Sequence, residues 1–131
     1  MNEQVLEEIK RLSEKVTVLN NGWCHFEYKH LHFVSVPDKR KEMIRISVPH
    51  VANSNDYSRE TLDTVINETN QQVKFIKAIV LNNGSVTLGY DHQVSQGEKM
   101  NMIVPHMITM LYAASEYIKM KFQNKNNDGY L

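Results

Sequence analysis

Apolar residues at Val5, Ile9, Leu12, Val16 and Leu19 recur at alternating steps of four and three, the spacing that gathers side chains on one side of an α-helix. The pattern predicts a first helix over residues 2 to 18. Asn20-Asn21-Gly22 is expected to end it, because Asn and Gly accept the left-handed backbone that closes helices. The charges agree with the helix dipole: Glu3, Glu7 and Glu8 come early, Lys10, Arg11 and Lys15 late.

The period then changes. Trp23 to Tyr28, Leu31 to Val36 and Met43 to Val48 are rich in aromatic and β-branched residues, and Ile44, Ile46 and Val48 alternate with Arg45 and Ser47. Lys29-His30 supplies a tight turn and Pro37 to Lys41 a looser one, which predicts a three-stranded antiparallel meander. Pro49 disfavours pairing beyond it. A second helix is expected at Ser58 to Gln71, with Asp56 and Ser58 as candidate caps and Leu62, Val65, Ile66 and Thr69 as its inner stripe. Residues 73 to 91 read as a β-hairpin around Asn82-Asn83-Gly84. A last helix follows over residues 100 to 122, with Pro105 in its first turn or at a kink. The polar segment 123 to 131 is expected to be a mobile tail beyond a single α+β domain spanning 1 to 122.

Composition narrows the function classes. Fifteen basic residues balance fifteen acidic ones, so no net field draws the chain to nucleic acid or anionic lipid, and the run Lys39-Arg40-Lys41 reads as a solvated turn. The single cysteine, Cys24, excludes an internal disulfide framework and fits a reducing compartment. The first residues do not form a signal peptide, and no stretch approaches the roughly 18 consecutive apolar residues of a membrane span. The expected protein is soluble and cytoplasmic, with neither nucleic acid nor membrane as partner.

Candidate chemistry is sparse. His25, His30 and His32 lie near Cys24, but Cys24 and His25 should face opposite sides of a strand, and a turn separates His25 from His32 along the chain. No standard zinc spacing, phosphate-binding loop or nucleophile elbow is present, so no metal, cofactor or catalytic residue is expected. Trp23, Phe26, Tyr28 and Phe33 concentrate aromatic surface in the first hairpin. They serve either as cross-strand core or as a shallow aromatic groove for a peptide or small ligand, and an exposed Trp23 beside apolar space would favour the groove.

The order α-β-β-β-α-β-β-α over residues 2 to 122 resembles the YbjN family, which shares its fold with type III secretion chaperones. Val65-Ile66-Asn67-Glu68-Thr69-Asn70 running into Val73-Lys74-Phe75, and the hairpin at Asn82-Asn83-Gly84, look similar as well. The resemblance implies a curved five-stranded antiparallel sheet packed by helices, a tendency to dimerise and a role in binding or holding other proteins, and it brings no catalytic residues.

The last helix adds a candidate surface. Val104, Met107, Ile108, Leu111, Ile118 and Phe122 share the face assigned to the sheet, yet Met102, Met110, Ala113, Tyr117 and Met120 lie opposite with His106. Five of the seven methionines fall between residues 100 and 120, and flexible thioethers suit surfaces that adapt to partners. Met102, Met110, Tyr117 and Met120 are therefore the candidate partner-binding residues, for a homodimer or a client, unless the first helix covers them. The expectation is a non-catalytic, chaperone-like protein-interaction module acting through apolar surface or an open sheet edge. A small-ligand-binding or regulatory domain, with its pocket between the sheet and the last helix, is the alternative.

Overall fold

The computed structural model describes residues 1–128. Helix α1 (Asn2–Leu12) leads to strands β1 (Val16–Val18), β2 (Cys24–Tyr28), β3 (Leu31–Val36) and β4 (Met43–Asn53), helix α2 (Arg59–Gln72), strands β5 (Ile76–Val80) and β6 (Ser85–Gln93), and helix α3 (Met100–Asp128). The sheet has six strands in the order β1-β2-β3-β4-β6-β5, with every neighbouring pair antiparallel. The architecture is α+β, as expected from the pattern.

The sixth strand corrects the predicted five. Helix α1 stops at Leu12, where Ser13 turns extended and donates its N–H to the Ile9 carbonyl. Val16, Thr17 and Val18 then pair with Phe26, His25 and Cys24. Val16 satisfies a helical stripe, but a β-branched triplet ahead of a tight turn gains more from pairing on a sheet than from one further helical turn. Asn20-Asn21-Gly22 is consequently a hairpin turn and not a helix end: Leu19 N–H donates to Trp23 O at 2.8 Å and Gly22 has φ 86°.

Strand β4 also outruns its prediction. It continues through Pro49 to Asn53, with the register to β6 shifting between Val48 and Ala52 and His50 at φ 56°. A proline lacking an N–H is accommodated at a bulge, after which Ala52 and Asn53 resume pairing with Val86 and Ser85. Helix α2 begins where expected, the Ser58 hydroxyl accepting the Thr61 N–H at 3.1 Å. Helix α3 accommodates Pro105 early in its length and extends through residues 123–128, the start of the expected tail; the last three residues of that expected tail, 129–131, lie outside the described residues.

All three helices pack on one side of the sheet. Phe26, Phe33, Ile44, Ile46, Val48, Ile76, Leu88 and Tyr90 point to that side, and the α3 face of Val104, Met107, Ile108, Leu111, Ile118 and Phe122 completes the core, as its spacing predicts. Helix α3 packs against both α1 and α2. Among the described residues the opposite face of the sheet carries no helix, and no helix is long and apolar enough to cross a membrane.

Candidate functional site

Strand alternation decides which side chains reach the helix-free face. Because Cys24 and Phe26 point into the core, Trp23 and His25 point away; likewise Ile44 and Ile46 send Arg45 outward, while Leu88 and Tyr90 do the same for Gly89 and Asp91. The result is a groove of about 620 Å³ lined by Trp23, Val36, Arg45, Ser47, Phe75, Lys77, Ile79, Thr87, Gly89 and Asp91.

Its walls are exposed apolar groups. Phe75 is 74% exposed, Ile79 51% and Trp23 42%. Phe75 adopts φ 68°, a conformation unfavourable for a bulky side chain, and stays largely exposed although its ring lies parallel to that of Tyr90 at 6.3 Å. Its floor is Gly89, which lies opposite Ser47 and Lys77 in mid-sheet, and a Cβ there would meet nothing within 4 Å. Arg45 Nε donates to Asp91 Oδ1 at 3.3 Å on the same surface, and Lys77 adds a second cation. Such a surface can hold an apolar group beside an anionic or polar one.

Burial pushes the Cys24 thiol up, with Lys10 opposing, and Cys24 faces the core. Among the described residues no group of three or more His, Cys, Asp or Glu is placed to hold a metal ion. The structure does correct the expected separation of His25 and His32: the β2–β3 hairpin folds them together on the outer face, His25 Nδ1 lying 3.0 Å from His32 Nε2.

Of the first-hairpin aromatics, Phe26 and Phe33 stack at 5.2 Å within the core and Tyr28 packs edge-on against Phe33, whereas Trp23 satisfies the condition set for a groove. The interval between sheet and α3, expected to hold a pocket in the alternative reading, is filled by Val104, Met107, Ile108 and Leu111. On α3, Met102 and Met120 are 70% and 47% exposed, while Met110 packs partly against the core and Lys121 lies over the Tyr117 ring at 5.5 Å. The open edge is also modified: Asn70 of α2 reaches the outer edge of β5, accepting the Ala78 N–H at 2.6 Å and donating to the Ala78 carbonyl.

Sequence reasoning missed Gly89, Phe75 and Arg45 as a set. A glycine inside an alternating strand was a legible signal, since it often marks close approach of a ligand or another backbone. The positive φ of Phe75 had none.

No family model matches the chain, and no curated protein sequence does. Similar solved structures include YbjN, a proposed transcription regulator from E. coli, with TM-score 0.65 and 13% identity over 98% of this chain and 93% of that one. An uncharacterized protein from Methanothermobacter thermautotrophicus is similar with TM-score 0.63 and 13% identity, over 95% of this chain and 97% of that one. The likeness is one of fold.

Proposed function

We propose that this chain, which shares the fold of YbjN over nearly its whole length, is a non-catalytic protein-binding module whose helix-free sheet face receives an apolar segment of its partner. Gly89 is the observation that carries this reading. A mid-strand glycine sacrifices both β-propensity and backbone entropy, and here the space above it is open instead of being filled by a neighbouring side chain. Exposed Trp23, Phe75 and Ile79 around that space supply the contact area that a folded chain without a partner gains nothing by displaying. Chaperone-like breadth of clients fits a shallow apolar surface, and a buried, unreactive Cys24 fits a cytoplasmic protein without bond chemistry. The Met102, Met110, Tyr117 and Met120 stripe of α3 is the proposed homodimer surface, supported by the exposure of Met102 and Met120. A small ligand in the same groove is the second reading, since about 620 Å³ is within the usual range for such sites.

Trp23 is the only tryptophan and lies at the groove wall, so its fluorescence reports occupancy directly. Proteins captured from native lysate by the wild type should be lost with Gly89→Leu and with Phe75→Ser, should be retained with Asn67→Ser at an exposed position of α2, and when purified should shift the Trp23 emission. A capture profile identical for wild type and Gly89→Leu would overturn the protein-binding reading. An emission shift caused by the small-molecule fraction of the lysate would favour the second.

A further inference from the structure

We infer that His25 and His32 form a two-histidine chelate for a first-row dication of the nickel, copper and zinc class on the helix-free face of the sheet. The β2–β3 register pairs Phe26 with Phe33 on the core side, which makes His25 and His32 diagonal neighbours on the other side. Their rings lie 5.1 Å apart between centroids, tilted by 31°, with Nδ1 of His25 facing Nε2 of His32 at 3.0 Å. Two ring nitrogens at that separation share either a proton or a metal. With metal–nitrogen bonds of about 2.05 Å, the observed spacing subtends an angle of about 94° at the ion. That angle is near the right angle between adjacent ligands of a six-coordinate or square-planar ion, and small ring rotations widen it to the tetrahedral one, so the pair suits nickel, copper and zinc alike. Imidazole is also a donor these ions prefer.

The scaffold is suited to the task. Both histidines are on paired strands anchored beneath by the stacked Phe26 and Phe33 rings, so chelation requires little ordering of the backbone. Glu27 lies directly opposite His32 in the register, but its carboxylate pairs with Lys15 at 3.4 Å and is not a ligand in this arrangement. The ion therefore keeps several solvent positions, and the fold does not depend on it. This site is independent of the groove, which lies against other residues.

The test is calorimetric titration of tag-free protein with Ni²⁺ in a non-coordinating buffer. One ion should bind per chain, and His25→Ala and His32→Ala should each weaken binding at least tenfold. The double variant should be no weaker than the singles by more than a few-fold, because either single loss already removes the chelate. His50→Ala and His106→Ala, at exposed solitary positions, should leave it unchanged. In NMR spectra of the wild type, the ring signals of His25 and His32 should be the first broadened, a readout that holds even if a variant fails to fold. Binding that survives loss of both histidines, or broadening centred on other rings, would overturn the assignment.

Discussion

Lys29 and His30 form the two-residue turn between β2 and β3 with φ 50° and 65°, both in the left-handed region. A turn of this kind favours Asn-Gly, so the pair folds against its own backbone preference. Lys29 compensates by placing its ammonium over the Tyr28 and Tyr112 rings at 5.5 and 5.2 Å; exposed His30 has no comparable contact. His30→Gly is expected to stabilise the protein by about 0.5–1 kcal/mol, raising Tm by about 2–6 °C in a thermal scan. Asp38 shows a residue effect that depends on pH. Its carboxylate accepts the Glu42 and Met43 N–H groups, both at 2.9 Å, and these bonds hold its pKa below the ordinary aspartate value. The unfolded chain therefore binds this proton more readily, so the contribution is present above the ordinary aspartate range and is lost as pH falls through the lower folded value. Asp38→Asn should flatten the acid limb of stability against pH below about pH 4 without changing its shape near neutrality. An unchanged acid limb would remove Asp38 from the account.

At the scale of elements, one tetrapeptide occurs twice. Leu19-Asn20-Asn21-Gly22 and Leu81-Asn82-Asn83-Gly84 close hairpins with the same bonds: leucine N–H to the carbonyl of the residue after glycine at 2.8 Å, glycine N–H to leucine O at 2.9 Å, and the N–H of the residue after glycine to the second asparagine Oδ1 at 3.0 Å. The second was legible because strands flank it on both sides. At the first, Val16 and Leu19 continue a helical period that predicts a helix end, and local period alone does not say whether a partner strand is available. Asn70 is similar: its place at the end of α2 is legible, but its pairing with Ala78 depends on how α2 docks beside β5. Asn70→Leu should cost about 1–3 kcal/mol in denaturant unfolding, since it strands an edge amide and carbonyl, and should increase self-association through β5. On α3, Leu111→Ala should cost about 2–5 kcal/mol, whereas Met102→Ser should stay within about 0.5 kcal/mol, because only the first side chain is enclosed.

For the whole molecule, the decisive asymmetry is that the helices share one face of a six-stranded sheet and leave the other bare. Gly89→Val tests whether the bare face is a functional surface. In folding terms it should be neutral or stabilising by up to about 1 kcal/mol, as a β-branched residue replaces glycine in open space. For binding it should be damaging, and that opposition of signs is what a site retained at the expense of stability predicts. Self-association belongs to the same scale: light scattering should find a dimer that Met110→Glu and Tyr117→Glu convert to folded monomers. Unfolding of both would place those side chains in the core.

What the sequence determined by itself was everything carried by short-range period and turn chemistry: the α+β class, the α2 cap, the β5–β6 hairpin, the α3 core face and the opposite orientations of Cys24 and His25. These follow from steric preferences within a few residues, so no distant contact is needed to read them. The tertiary structure decided what depends on residues far apart meeting. It made Val16–Val18 a strand, carried β4 past Pro49, and placed His25 against His32. It also gathered Trp23, Arg45, Phe75 and Gly89 onto one surface, although each is on a different segment and no pattern along the chain links them. Strand register and the side chosen by the helices bring them together, and both are settled by burial of the whole core, not by any local stretch.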